Sequence, residues 1–393
     1  MKIKKESEQM TKILFFQWHS FLNPGIEAAL KKLRITYDTC FYQFTDWETD
    51  AQFSEQFSDR LGGGDYRMVL SVNFSPLIAQ VCHDRGVPYA AWIYDSPIHI
   101  RQRESLGYDT THVFCFDRSQ AQLYEKQGIH AYHLPLAASP KLFLKSAISA
   151  ADRKKYTAQI SFLGQLYQTD YAYYCGPLDN YQRGFLEGIL KAQSNVYGAY
   201  FIPELLTDEL LDGMNARYDQ ASGGTASITK EELEFMLACE VTGRERYVAL
   251  AVLSNHFQVK YYSGEKDERL AKAVYMGYAD YYEQMPKIFR LSDVNLNISL
   301  RTIQTGIPLR VLDVLACGGF LISNYQEELA EYFRLGEELV TYGDTQELVY
   351  LTDFYLRDEA RRRQIARCGQ ERIKQDFTFE KALQKILKEM TGV

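Results

Sequence analysis

Short runs of β-type apolar residues alternate with helical patterns along this 393-residue chain, in two separate series. In the first, from residue 11 to about 140, KILFFQW, RMVLSVN, PYAAWIY and HVFCF are separated by segments such as NPGIEAALKKL and SQAQLYEKQG. The second opens at TAQISFLG (157–164) and resumes with HFQVKYYSG (256–264), VNLNIS (294–299), GGFLIS (318–323) and ELVTYG (338–343). Runs that need burial on both faces, with helices between them, specify a parallel sheet covered on both sides. The chain is also too long for one ordinary core. The expectation is therefore α/β, with two Rossmann-like doubly wound domains. These take residues 1–145 and 146–375, and a C-terminal helix (376–393) packs back on the first.

Residues 168–250 interrupt the second series with a mostly helical insert. Within it, Thr229 and Glu232 have the spacing of a capping box. Long insertions at sheet ends often carry function, so the insert reads as shaping an acceptor pocket or a domain contact, with plain padding as the alternative. No internal repeat or low-complexity tract is present.

A net charge of −7 provides no basic field for a phosphate backbone, which argues against nucleic acid as the main partner. The seven cysteines are scattered without a C-x-x-C, so neither a disulfide framework nor a zinc site is expected. The N-terminal charges lead only to the short run Ile13–Trp18, and nowhere do 18 apolar residues run together. This reads as an intracellular, cytoplasmic protein with no integral membrane segment. G-x-G-x-x-G, the P-loop, H-E-x-x-H and G-x-S-x-G are all missing, which disfavours dinucleotide redox, P-loop and zinc-protease or serine-hydrolase chemistry. No D-x-D occurs to hold a divalent cation against a diphosphate, so a bound diphosphate would have to be met by protein cations and helix ends.

The stretch TGIPLRVLDVLACGG supplies such groups. Pro308 suits the first helical turn, and Gly318 and Gly319 end the helix before the strand FLIS. Arg310 offers a fork of donors to phosphate oxygens, and Asp313, one turn on, can accept two ribose hydroxyl protons. The competing reading is an exposed i,i+3 ion pair worth a few tenths of a kcal/mol.

The run from Tyr281 to Phe333, YYEQMPKIFRLSDVNLNISLRTIQTGIPLRVLDVLACGGFLISNYQEELAEYF, followed by LVTYGDTQELVYLTDFYLRDEARRRQIARCGQERI, resembles the C-terminal nucleotide-sugar domain of the spore-maturation (CgeB-like) glycosyltransferases, which have the two-domain GT-B fold. WIYDSPIHI, HVFCFDRSQAQLYEKQG, YHLPLAASPKLF and ISFLGQLY resemble the same proteins in the same order. The resemblance implies that Arg310 and the Thr305–Gly306 loop contact the diphosphate and that Asp313 holds the ribose. Many retaining relatives place Glu at the Asp313 position. Gly164, ending its strand, would let the backbone approach the donor phosphate, and the bland alternative is a strand-ending turn. Arg301 is a second candidate phosphate cation, and Lys260 and Tyr262 either bind donor or pack.

In the first domain His19 falls in the loop after the first strand, where inverting relatives often carry a general-base histidine. Asp95, as base or sugar-hydroxyl ligand, and His99 follow another strand end. Asp117 reads instead as the cap of the helix beginning near Ser119. The implied activity is transfer of a sugar from a nucleotide-diphosphate sugar to an acceptor hydroxyl on a glycan or on a protein such as flagellin or a coat protein. No metal and no cofactor beyond the nucleotide-sugar co-substrate is expected. A sugar-nucleotide epimerase and a non-catalytic spore-coat or surface-assembly protein are the alternatives.

Overall fold

The computed structural model describes residues 12–98, 100–145 and 147–391. The described residues fall into two compact units, one from 1–142 together with 373–393 and the other from 143–372.

The first unit is built on six parallel strands: β1 (Ile13–Gln17), β2 (Tyr37–Phe41), β3 (Met68–Val72), β4 (Tyr89–Ile93), β5 (Thr111–Cys115) and β6 (His130–His133). They lie in the order β2-β1-β3-β4-β5-β6. Every residue of β3 and β4 is buried, as expected of central strands covered on both faces. Phe16, Phe53 and Phe57, each 1% exposed, cluster against one face; burying a ring of this size contributes about 2–3 kcal/mol. The helices start where the sequence supplies an acceptor. Asp50 takes the Phe53 N–H at 2.9 Å and Asp117 the Ser119 N–H at 3.0 Å. The terminal helix Phe379–Thr391 packs on Asn23–Lys32, pinned by a 2.8 Å ion pair between Lys32 and Glu380. A Cβ at Gly25 would stand 2.4 Å from the Phe379 ring, so this approach requires glycine.

The second unit carries β7 (Ala158–Leu163), β8 (Val259–Tyr262), β9 (Val274–Tyr275), β10 (Ser292–Asn297), β11 (Leu321–Asn324) and β12 (Val340–Tyr342), also all parallel. Their order is β12-β11-β10-β7-β8-β9. Counted from β7, this is the Rossmann order 3-2-1-4-5-6. The insert forms helices Tyr171–Cys175, Asn180–Ser194, Ile202–Leu205, Asp208–Ser222 and Lys230–Ser254. Thr229 and Glu232 do form the capping box: the Glu232 N–H reaches Thr229 Oγ1 at 3.2 Å, and the Thr229 N–H reaches Glu232 Oε2 at 2.8 Å. The helix Lys230–Ser254 joins two cores, since Leu233, Leu237 and Val241 lie among insert residues while Ala249, Leu250 and Leu253 pack on the sheet with Phe162, Tyr261 and Leu296.

In such sheets ligands bind beyond the strand C-termini at the point where strand order reverses. That point lies between β1 and β3 in the first unit and between β7 and β10 in the second. All seven cysteines are free thiols. Among the described residues no helix is long and apolar enough to cross a membrane.

Candidate functional site

The reversal point of the second unit is polar and buried. Asn297, at the end of β10, donates to Ser299 Oγ at 3.1 Å and Ser323 Oγ at 2.9 Å. The Ser299 N–H reaches Asn324 Oδ1 at 2.8 Å, its hydroxyl reaches Gln326 Oε1 at 3.1 Å, and Gln326 Nε2 reaches the Ile303 carbonyl at 2.8 Å. Paired side-chain amides of this kind hold the loop after β10 in one conformation, because any broken member would be left buried and unmet. Gly198 and Tyr200 of the insert close a cavity of about 10 Å³ against Ser299, Arg301 and Gln326, room for about one water.

Arg246, from the helix Lys230–Ser254, lies beneath both strand ends. Its Nε donates to the Ile298 carbonyl at 3.1 Å, Nη2 to the same oxygen, and Nη1 to the Gln165 carbonyl. The guanidinium packs over the rings of Phe162 and Tyr167, at 5.4 and 4.8 Å from their centroids. A permanent cation whose hydrogen-bond partners are backbone carbonyls puts net positive charge at the reversal point. The sequence gives no local signal for it: Arg246 is one of eight charged residues in a 25-residue helix, and only packing brings it to the strand ends.

Arg310 and Asp313 sit on the helix Leu309–Ala316, which Pro308 caps rather than enters. Their ion pair, at 3.4 Å, is not a surface one, because the Asp313 side chain is 1% exposed. Asp313 Oδ1 accepts the Tyr281 hydroxyl at 2.7 Å, while Arg310 also reaches the Met285 sulfur and lies 5.5 Å over the Phe289 ring. Burial pushes the Asp313 carboxyl up to about 6, against the pull of Arg310 and the Tyr281 hydroxyl. Gly318, at φ 76°, then ends the helix.

Of the other residues singled out in this unit, Arg301, Lys260, Thr305 and Gly164 have internal partners. Arg301 donates Nε to Glu245 at 3.0 Å and Nη1 to the Val196 carbonyl at 2.8 Å, with its Nη2 also on Glu245 and Tyr197 stacked 4.3 Å from the guanidinium. This pair is buried, and burial holds the Glu245 carboxyl above its ordinary value. Lys260 Nζ donates to the Lys155 carbonyl at 2.7 Å. Tyr262 is buried, which pushes its phenol up, and its hydroxyl has no partner among the described residues. Thr305 Oγ1 donates to Glu328 at 2.8 Å, with buried Gly306 following. Gly164, at the end of β7, donates its N–H to the Tyr262 carbonyl at 3.0 Å, and a Cβ there would come within 3.4 Å of Arg246.

The reversal point of the first unit is aromatic. Trp18 follows β1, Asn73 and Phe74 follow β3, and Asp95 follows β4. With Trp47, Ile93, Ile98 and Ile100 they line a cavity of about 260 Å³. Asn73 adopts φ 60°, a left-handed conformation that asparagine tolerates better than most residues. From there its side chain accepts the Tyr94 N–H and donates to Asp95 Oδ2, each at 2.7 Å. Asp95 itself is exposed. His19 is exposed in the loop after β1, with its ring edge-on to Phe41 at 5.1 Å. His99 lies outside the described residues. Trp18, Trp47, Asn73 and Phe74 went unremarked in the sequence because three different loops bring them together.

Among the described residues no three His, Cys, Asp or Glu side chains gather as a metal-binding group.

Two doubly wound parallel units in one chain, matched along nearly their whole length by the solved structures below, are the architecture of the GT-B fold. Residues 236–388, which include Arg246, Arg301, Arg310 and Asp313, match the model of a family described as glycosyl transferase-like. HepE from Anabaena, solved in complex with UDP and glucose, is 12% identical over 98% of this chain and 100% of that chain, with a TM-score of 0.54. Sucrose-phosphate synthase from Thermosynechococcus elongatus is 12% identical over 97% of this chain and 99% of that chain, with a TM-score of 0.56. A glycosyltransferase from Rickettsia africae is 8% identical over 98% of each chain, with a TM-score of 0.55. At these identities the likeness is one of fold. No curated protein matches the sequence.

Proposed function

We propose that the protein is a glycosyltransferase that takes a nucleotide-diphosphate sugar, needs no metal ion, and transfers the sugar to an acceptor hydroxyl. The observation that carries this reading is the reversal point of the second unit, where Arg246 sits under the β7 and β10 ends inside the stretch matching the glycosyl transferase-like family. The loops after Gly164 and Ile298 cradle the diphosphate, with Arg246 beneath and Arg310 beside it. Asp313, ionised above about pH 6, accepts the ribose hydroxyls. Thr305 and Gly306 shape that loop, while Arg301, bound to Glu245, braces it against the insert. The cations take over the charge neutralisation that a divalent ion would otherwise supply to the leaving diphosphate. The first unit binds the acceptor, with Asp95 or His19 as the base. The complex of HepE with UDP and glucose makes UDP-glucose the first donor to try, and the resemblance to the CgeB-like group belongs to the same reading.

A donor that binds only the native state raises the melting temperature, by about 2.7 kcal/mol of added stability at a concentration 100 times Kd. A panel of nucleotide sugars should contain at least one that does so. A panel with no stabilising member at about 1 mM, the millimolar end of ordinary binding, sinks the reading. Donor hydrolysis or epimerisation without acceptor dependence would point to the epimerase instead.

A further inference from the structure

We infer that the acceptor is a planar, largely apolar ring system bearing a hydroxyl, a phenol-type aglycone rather than a sugar. This rests on the glycosyl-transfer reading for its second substrate, but the cavity stands on its own observations. Its walls are Trp18, Trp47, Phe74, Ile93, Ile98 and Ile100, with Asn73 and Asp95 as the polar lining residues. Trp18 and Trp47 meet edge to face at 5.1 Å, and Trp47 leans on Phe44 at 4.9 Å. The volume of about 260 Å³ compares with about 150 Å³ for an apolar cavity that holds benzene, and so suits two fused rings.

The polar atoms are largely spoken for. The Trp18 indole N–H donates to the Val72 carbonyl at 2.9 Å, and both ends of the Asn73 amide are engaged by Tyr94 and Asp95. A hexose would turn several hydroxyls toward these apolar walls, and each one buried without a partner costs about 1–3 kcal/mol. A ring with a single hydroxyl aimed at Asp95 leaves none unmet.

The cavity is also held open in advance. Arg101, next to Ile100, donates its N–H to Glu48 Oε1 at 2.7 Å and its guanidinium to Asp46 at 2.9 Å, and the Gln102 N–H reaches Glu48 Oε2 at 3.0 Å. These bonds tie the loop carrying Ile100 to the loop carrying Trp47, so little ordering is left to be done on binding. In the transfer step the acceptor oxygen bonds to C1 of the sugar as the bond from C1 to the diphosphate oxygen breaks. That electron pair leaves with the nucleoside diphosphate, and the hydroxyl proton passes to the Asp95 carboxylate.

The test is calorimetric titration of the full chain with 7-hydroxycoumarin, coumarin and maltose, alongside melting with UDP-glucose and the other nucleotide sugars. We expect both coumarins to bind with Kd below about 0.1 mM, and Ile100→Trp, which fills the cavity, to weaken them at least about tenfold. Trp47→Ala, which removes a wall, should weaken them comparably and serves if the first variant does not fold. Neither change should alter the nucleotide-sugar melting shift. With a stabilising donor, only 7-hydroxycoumarin should be glycosylated. Coumarins that fail to bind at about 1 mM while a nucleotide sugar still stabilises the protein would overturn the inference and leave the donor reading intact. Maltose binding that Ile100→Trp abolishes would also overturn it. Coumarin binding without stabilisation by any nucleotide sugar would uphold the cavity and remove the transferase reading.

Discussion

Both units end a six-stranded parallel sheet at a reversal of strand order, yet what stands at those two ends is opposite in kind. Beyond β7 and β10 there are asparagines, serines and a glutamine in mutual hydrogen bonds over a buried guanidinium. Around the ends of β1 and β3 there are two tryptophans, a phenylalanine and one exposed carboxylate, with Trp47 brought in from the loop after β2 and Asp95 from the loop after β4. The strands set only where a site can be; the few residues just past each strand decide what it can hold. A polar, cationic end suits a diphosphate, and an aromatic end suits a ring.

The largest effect that could break this contrast belongs to Arg301→Ala. It strands the buried Glu245 carboxylate, and removing one partner of such a pair costs about 4 kcal/mol, readable by chemical denaturation. A loss under about 1 kcal/mol, the range of exposed pairs, would mean that the polar end is not the tightly determined structure described. Next comes Asp313. Its carboxyl rises from 3.8 to about 6 on folding, so between those values the folded chain holds a proton that the unfolded chain has lost. Stability from this group is therefore full below pH ~4 and lost as pH rises through ~6, a change of about 3 kcal/mol. Asp313→Asn should abolish that slope in pH-dependent unfolding. Nucleotide affinity should fall with acidification through the same window, and a pH-independent affinity would take the ribose contact away from Asp313.

A smaller effect on binding is expected of Arg310→Ala, with donor binding about tenfold weaker, or about 1.4 kcal/mol, together with a lower melting temperature for the free protein, because the buried Asp313 carboxylate loses its cation. Unaltered donor affinity would confine Arg310 to its contacts with Asp313, Met285 and Phe289. The smallest change in stability, under about 1 kcal/mol, is predicted for Asn73→Gly, since relief of the φ 60° backbone offsets the lost amide bonds. Turnover should nevertheless fall with donor KM unchanged, because Asp95 loses the group that orients it. Equal effects on kcat and donor KM would show that the aromatic end does not act separately from the polar one.

The central strands were legible because MVLSV and YAAWI leave no polar face to expose. The edge strands Tyr37–Phe41 and His130–His133 escaped notice, since YDTCF and HAYH are half polar and half exposed, as edges are. The two-residue β9 is too short to carry a period. Arg310, Asp313 and Gly164 could be read because a glycine, a proline and a helix boundary lie beside them in the chain. Arg246 and the aromatic cavity could not, because their meaning comes from segments dozens of residues apart. Arg301 was singled out as a candidate phosphate cation, but its pairing with Glu245, 56 residues away, was not legible.

The helix Lys230–Ser254 puts insert and sheet on one continuous rod, its first turns in one core and its last in another. The insert is therefore not a module. A chain shortened by excising 168–250 would lose Thr242, Glu245 and Arg246 with the padding, whereas a cut ending before Thr242 would spare them. Grafting the insert into another chain of this fold would in turn carry a cation to the strand ends of the host's second sheet. Any reshaping of this region by engineering or descent is thus constrained to vary its length upstream of Thr242, in the helices from Tyr171 to Ser222 and the loops that join them, but outside the stretch 196–200 that meets Arg301 and Gln326.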